Sequence, residues 1–367
     1  MLQNINHSPY NVRDMIFKDN RVEQMQQPES HIHHRRSHRL RRLVGVGGMI
    51  LALAIILSVT VYAYNGHASI FGARGGLPSI PGLPGIFKPA STCTTPLHDS
   101  GDSNGSITSG GLKRTFLIHL APSYGLQPQP LVINYHNYSA TAAWFAHYTN
   151  MSTEADKAGF VLVFPQGVDN PSSWNAGLNE SGHQTGSADD VQFTRDLISY
   201  LEKNYCVDSH RVYVAGFSIG GGMAYRIACT LTNQVAAVAT VSGAYYHAPG
   251  GCQPSRPIPV MEIHGQADPY APYNGNPSAG MAAVQVYLNV WLNRNQCTGT
   301  SNVFFQKGDV TGIEWTHCAG KSVVVHYRVS DGGHVWPGAA HDNGLGSATQ
   351  VIDANSVIWE FFSHYSI

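Results

Sequence analysis

One serine of this chain lies in a setting that could make it a nucleophile. Residues 211–229 read RVYVAGFSIGGGMAYRIAC, which is a β-branched run, a glycine-flanked serine at Ser218 and then a run typical of a helix. In a strand, sharp turn and helix of this kind, glycines prevent clashes and the serine hydroxyl is held clear of the sheet. Its oxygen would also lie at a helix N-terminus, which favours developing negative charge. The pattern predicts that Ser218 attacks a carbonyl carbon.

Two later loops carry the partners that such a serine needs. A serine hydroxyl is a poor nucleophile until an imidazole accepts its proton and a carboxylate orients that imidazole. Asp268 follows an apolar run at 258–264, and His334 follows another at 322–329. The chain order Ser218, Asp268, His334 is that of the α/β-hydrolase catalytic triad, and this chemistry requires neither a metal nor another cofactor.

Rival carboxylates and imidazoles are Asp189, Asp190, Asp331, His317, His326 and His341. The first two precede the serine and are expected to cap a helix, and Asp331 is too close to His334 in sequence to orient its ring easily. His326 falls in a predicted strand, and the other two histidines fall outside the strand-end loop. Asp268 and His334 are therefore preferred.

Backbone N–H groups are expected to stabilise the oxyanion. One is that of Ile219, directly after the nucleophile. The other is expected in the loop after the 131–135 strand, where residues 136–139 read HNYS, and Tyr138 is the candidate.

The elements that must position these residues alternate between strand and helix. Strands are predicted at 115–120, 131–135, 160–164, 211–215, 236–241, 258–264 and 322–329. Helices are predicted at 152–158, 189–204, 218–229, 281–292 and 353–362. Near-continuous apolar strands alternating with helices indicate an α/β fold with a mainly parallel sheet covered on both faces.

The N-terminal part of the chain predicts a membrane anchor. Residues 1–42 are polar and are expected to form a disordered cytosolic tail, whose histidine and arginine cluster at 31–42 is a basic flank rather than a metal-binding tract. Residues 43–64 carry no charge and are long enough to cross a bilayer as one helix. Because the basic flank precedes the span, the C-terminal part is expected outside the cytosol, as in a single-pass type II protein. Residues 65–92 form a Gly/Pro-rich linker, and residues 93–367 form the catalytic domain.

The net charge of the chain is −1, which gives no indication of nucleic acid as a partner. The positions of the cysteines agree with the predicted topology. All six cysteines follow the apolar segment, so up to three disulfides are expected, with Cys297–Cys318 and Cys206–Cys229 as the favoured pairs. Glycosylation sequons on the same side begin at Asn104, Asn137, Asn150 and Asn179.

The segments VINYHNY, VFPQGVDNPSSWNAG, VYVAGFSIGGG, IPVMEIHGQADPYAPYNG and GGHVWPG occur in the order found in one esterase family. Residues 93–367 resemble the α/β-hydrolases of carbohydrate esterase family one, which include feruloyl esterases and polyhydroxybutyrate depolymerase-like proteins. The resemblance implies the same triad and an oxyanion loop at 136–138. It also implies that Trp174, Trp336 and His136 contact the substrate. One departure is that this chain has His136-Asn137 where many relatives have His-Gly.

Three functions are compatible with these features. The first is a membrane-anchored, extracytoplasmic serine esterase that cleaves feruloyl esters of an acylated polysaccharide. The second uses the same triad on polyhydroxybutyrate or on short-chain esters generally. The third is a catalytically inactive hydrolase fold used for adhesion, which is disfavoured because such proteins usually lose the serine, the histidine or a glycine of the turn.

Overall fold

The structure is a computed structural model that describes Cys93, residues 98–339 and residues 343–367. Its strands are β1 Gly101–Ser109, β2 Leu112–Leu120, β3 Gln129–Tyr135, β4 Val161–Pro165, β5 Val207–Phe217, β6 Ala237–Val241, β7 Val260–Gly265, β8 Asn302–Lys307, β9 Val310–Trp315 and β10 Val324–Val329. Its helices are α1 Ala142–Thr149, α2 Met151–Ala158, α3 Asp190–Asn204, α4 Ile219–Thr230, α5 Val284–Arg294 and α6 Ala354–Ser363. The predicted tail and linker lie outside the described residues.

The strands form one sheet in the order β1-β2-β4-β3-β5-β6-β7-β10-β9-β8. Its six central strands, from β4 to β10, run parallel. The strands at both edges run antiparallel. Every residue of β3, β4, β6 and β7 is buried, which explains their continuous apolar sequences. The predicted α/β-hydrolase architecture is thus present, with antiparallel additions at each edge.

Helices cover both faces of the sheet, as predicted. Alternate residues of β5 supply the two cores, because Val212 and Val214 pack on one face and Tyr213 packs on the other. The first core contains buried residues of α3, α4 and α5, and the second contains those of α1, α2 and α6. The sheet therefore holds its strand ends, and the loops that follow them, between two packed helical layers.

Four elements are not predicted by the sequence pattern, namely β1, β8, β9 and α1. Strands β1 and β8 occupy the two sheet edges and are largely exposed, so they lack a continuous apolar run. Helix α1 is short, and the Thr141 side chain caps it by accepting a hydrogen bond from the Trp144 N–H. It ends at Asn150, which has a φ of 50°.

Disulfides join Cys93 to Cys206, Cys229 to Cys252 and Cys297 to Cys318. The last is the predicted local pair, whereas the predicted Cys206–Cys229 pair is wrong. The Cys206 carbonyl accepts a hydrogen bond from the Gln129 N–H, so this cysteine lies beside the start of β3. Cys229 belongs to the last turn of α4, which packs on β5 and β6, and its partner follows β6.

No helix within the described part of the chain combines the length and hydropathy needed to cross a bilayer. The segment for which a span is predicted, residues 43–64, falls outside that part.

Candidate active site

Ser218 occupies a sharp turn between β5 and α4. Its backbone has φ 59° and ψ −121°, a combination that is rare and strained for a residue with a side chain. The surrounding backbone fixes it, because the Ser218 N–H donates to the Val241 carbonyl at 3.0 Å and the Ser218 carbonyl accepts from the Gly222 and Ala244 N–H groups. The Ser218 side chain is half-buried and does not cap the helix. The predicted strand, turn and helix around this serine are all present.

Two glycines make this turn possible. A Cβ on Gly216 would lie 2.1 Å from the Gly220 carbonyl oxygen, and a Cβ on Gly220 would lie 2.2 Å from the Tyr135 carbonyl oxygen. Side chains at these positions would therefore force the turn away from its own helix and from the end of β3. Glycine lets β3 approach closely, which brings the loop after Tyr135 beside the serine.

The structure brings Asp268 and His334 together. Asp268 lies in the loop after β7 and His334 in the loop after β10, and Nδ1 of the histidine is 2.7 Å from Oδ2 of the carboxylate. The other carboxylate oxygen accepts hydrogen bonds from the N–H groups of Tyr270 and Ala271, both at 2.9 Å. Both side chains are almost fully buried. A carboxylate with both oxygens engaged can hold one imidazole tautomer in place.

The surroundings of Asp268 keep it ionised. Burial acts to raise the pKa of its carboxyl group, but the hydrogen bond from His334 and the nearby histidine charges outweigh burial and lower that pKa. Asp268 is therefore an acceptor for the His334 Nδ1–H throughout the neutral range.

His334 also lies beside the serine turn. Its ring centroid is 4.8 Å from that of Phe217, the residue before the serine. The His334 backbone is fixed by hydrogen bonds to the Leu345 carbonyl and from the Asn343 side chain. Within the described residues no hydrogen bond joins the Ser218 hydroxyl to His334. Such contacts often form only when substrate binds.

Most of the rival residues have other contacts. Asp190 forms a 2.6 Å ion pair with Arg114 inside the core, and the side chain of Asp189 caps α3 as predicted. Asp331 is exposed, and His326 is buried in β10. The remaining rivals are His317, which is exposed, and His341, which lies outside the described residues.

The two candidate oxyanion donors lie in the turn after β5 and in the loop after β3. Ile219 is the first residue of α4, where N–H groups lack an acceptor within the helix. Tyr138 belongs to the loop after β3, in which the Ser139 N–H is already bonded to the Ser172 carbonyl. Neither the Ile219 nor the Tyr138 N–H donates to a backbone carbonyl in the described part of the chain. The Tyr138 side chain is half exposed.

His136, which the resemblance predicts to contact the substrate, is fully buried. Its Nδ1 donates to the Asn137 carbonyl and its Nε2 accepts from the Gly167 N–H. Burial lowers the pKa of His136 to about 4, although the hydrogen bond to Asn137 opposes this shift. A neutral ring with both nitrogens engaged supports the loop after β3 and offers no surface to a substrate.

The two tryptophans predicted to contact substrate are also enclosed. Trp174 has no exposed surface, and its indole N–H donates to the His136 carbonyl at 2.9 Å. Trp336 is equally buried and donates to the Asn355 side chain at 3.0 Å. Both indoles therefore hold the loops that surround the site, and neither has surface exposed in this structure.

One exposed aromatic residue does lie beside the candidate base. Tyr270 is 46% exposed, and its ring centroid is 5.5 Å from that of His334. The sequence signal for Tyr270 is its position two residues after Asp268, in the same strand-end loop.

Within the described residues no group of three or more His, Cys, Asp or Glu side chains is arranged to hold a metal ion.

Comparison with known proteins agrees with this fold. Residues 114–288 match the family model described as Esterase PHB depolymerase. Feruloyl esterase B of Piromyces equi is 30% identical over 263 residues, which are 66% of this chain and 43% of that protein. Feruloyl esterase C of Emericella nidulans is 32% identical over 187 residues, which are 51% of this chain and 62% of that protein. The chain thus spans less than two thirds of either relative.

Among solved structures, an acetyl xylan esterase from Aspergillus awamori superposes with a TM-score of 0.51 at 13% identity. The match covers 71% of this chain and 99% of that one, and at this identity it shows the fold alone. The predicted resemblance is confirmed. The domain is thus similar in sequence to carbohydrate esterases and to polyhydroxybutyrate depolymerase-like proteins, and its fold is that of an α/β-hydrolase.

Proposed function

We propose that this protein is a serine carboxylesterase in which Ser218 is the nucleophile, His334 the general base and Asp268 the residue that orients the base. The observation that carries the proposal is the 2.7 Å hydrogen bond between His334 and Asp268, made between two loops that follow parallel strands of one sheet. The strained turn at the end of a third strand supplies the serine.

The reaction proceeds through an acyl-enzyme. Ser218 Oγ attacks the ester carbonyl while Nε2 of His334 takes the hydroxyl proton, and the N–H groups of Ile219 and Tyr138 stabilise the oxyanion. His334 then gives the proton to the departing alcohol oxygen. A water molecule activated by the same imidazole releases the acid and restores the serine. Asp268 keeps the proton of the neutral ring on Nδ1, so that Nε2 is free to act as the base.

The proposed substrate is a feruloyl or related hydroxycinnamoyl ester of a polysaccharide. Support comes from the names of the feruloyl esterase relatives and from the exposed rings of Tyr270 and Tyr138, which could flank a phenolic acid. The description of the matching family model supports a second candidate, an ester of hydroxybutyrate. Both candidates use the same triad and differ in the acyl group.

We expect the purified protein to hydrolyse p-nitrophenyl acetate and methyl ferulate without added metal. A parallel assay with hydroxybutyrate oligomers compares the two acyl groups, with kcat/KM as the measured quantity. A higher value for methyl ferulate is the expected result. Faster cleavage of the oligomers would favour the second candidate, and a folded protein inert toward every ester would favour the adhesion function.

The proposed location is a single-pass type II membrane protein with its catalytic domain extracellular or lumenal. Support comes from the basic residues that precede the uncharged segment 43–64 and from the three disulfides of the domain. Protease added outside intact cells should therefore release an active fragment that begins between residues 65 and 93. Release of the N-terminal tail into the medium would reverse the proposed orientation.

A further inference from the structure

A fully buried carboxylate lies in β7, close to the candidate site but outside the triad. Glu262 has no exposed surface, although an unpaired charge in the core would cost far more than folding could tolerate. One carboxylate oxygen is 2.7 Å from Nδ1 of His264, and the other is 2.6 Å from Nδ1 of His326. The carboxylate thus has a histidine on each side, one in its own strand and one in β10.

The far side of His264 faces the triad. Its Nε2 is 2.8 Å from the Ala271 carbonyl oxygen and 3.5 Å from Oδ2 of Asp268, the oxygen that also contacts His334. Both neighbours of Nε2 are acceptors, so this nitrogen must carry a hydrogen. Nδ1 faces the Glu262 carboxylate, which is also an acceptor while it is ionised. The contacts are satisfied when both ring nitrogens are protonated, which makes His264 a buried cation.

Charge balance supports this protonation state. Although burial opposes both shifts, the pKa of Glu262 is lowered to about 2 and the pKa of His264 is raised, because each charge stabilises the other. The titratable and charged groups that face this pair come from the neighbouring strands and loops and from helix α5, and they are Tyr245, Asp268, Tyr273, Tyr287, His326 and Arg328.

The two histidines around Glu262 differ in what they contact next. His264 reaches Asp268, whereas Nε2 of His326 is 2.9 Å from the hydroxyl of Tyr273. Only the first of them therefore places its ring against the carboxylate of the proposed triad. The second ties β10 to the loop that contains Tyr273.

We propose that His264, held protonated by Glu262, is a positioning residue that orients Asp268 and sets the pH below which His334 stops acting as a base. The physical reason is that a positive charge behind Asp268 offsets part of its negative charge, so that Asp268 stabilises the protonated form of His334 less strongly. This proposal rests on the proposed function, since it assumes that His334 is the base.

The test is His264→Gln in the full-length protein, with His326→Gln as the matched control. The first variant keeps an amide donor for the Ala271 carbonyl and loses the charge next to Asp268. The acid limb of the pH profile of kcat/KM should move to higher pH by about half a unit to one unit, so that activity on the acid side of the limb falls by about three- to tenfold with little change in KM. The control loses the other partner of Glu262, so its melting temperature should fall while its acid limb stays in place.

A purely structural role would lower the melting temperature of both variants without moving either acid limb. The proposal would be overturned if neither acid limb moved. It would also be overturned if the acid limbs of both variants moved equally, or if that of His264→Gln moved to lower pH. If His264→Gln does not fold, Glu262→Gln removes the carboxylate that holds the proton on His264 and should shift the limb in the same direction. The absence of that shift would also overturn it.

A measurement without substrate separates this proposal from the proposed esterase activity. Titration of the His334 ring resonances by NMR should give a higher midpoint in His264→Gln than in the wild type or His326→Gln. An inactive wild type that shows this difference would contradict the esterase function and support the charge effect. An active wild type without this difference in midpoint would support the esterase function and contradict the charge effect.

Discussion

Replacing Ser218 with alanine is expected to reduce kcat for ester hydrolysis by about 10⁵- to 10⁶-fold, to the residual level left by binding and the oxyanion donors. The fold should be unaffected, because the Ser218 hydroxyl does not cap α4 and the hydrogen bonds that fix the turn are made by its backbone. Kinetics with p-nitrophenyl acetate and thermal unfolding of the same samples measure both effects.

The control for this variant is Ser103→Ala, which changes an exposed serine on the edge strand β1. Its activity and melting temperature should equal those of the wild type. Substantial activity in a folded Ser218→Ala protein would show that another residue is the nucleophile.

Asp268→Asn is expected to lower kcat by about 10⁴-fold while the loop keeps its structure. The asparagine carbonyl can still accept the N–H groups of Tyr270 and Ala271, but its NH₂ group would replace the oxygen that faces His334. That NH₂ donates to Nδ1, so the imidazole proton moves to Nε2 and the base is lost. Steady-state kinetics give the loss, and thermal unfolding shows whether the protein remains folded.

Asp331→Asn is the matched control, since Asp331 is the exposed carboxylate in the loop that carries His334. We expect it to leave kcat unchanged. A loss in this control as large as that in Asp268→Asn would mean that the triad has been assigned to the wrong carboxylate.

The central strands and the order of the site residues could be predicted from sequence because each depends on a local pattern. A parallel strand buried on both faces needs a continuous apolar run, and the loops after such strands meet at one edge of the sheet. This explains why Asp268 and His334, which are 66 positions apart, could be predicted to meet, as their 2.7 Å contact shows. The exposed edge strands β1 and β8 lack such a run and were missed.

The burial of individual side chains could not be predicted in the same way. Trp174 and His136 lie in loops that follow strands, where active-site residues are expected. Both side chains are nevertheless buried, and the His136 carbonyl accepts a hydrogen bond from the Trp174 indole N–H. Disulfide pairing could not be predicted either, because it depends on which segments of the chain lie side by side in the fold, as the Cys93–Cys206 bridge shows. The Glu262 network had a usable signal, because a glutamate and a histidine interrupt the apolar strand VMEIHG.

The central claim, that Ser218 attacks an ester carbonyl with His334 as base, is tested most directly by covalent labelling. A fluorophosphonate that traps serine nucleophiles should add one group to each wild-type chain, and peptide mapping should locate it on Ser218. The Ser218→Ala protein should remain unlabelled, and Asp268→Asn should react far more slowly. Labelling of a different residue, or equal labelling of the wild type and Ser218→Ala, would contradict this account.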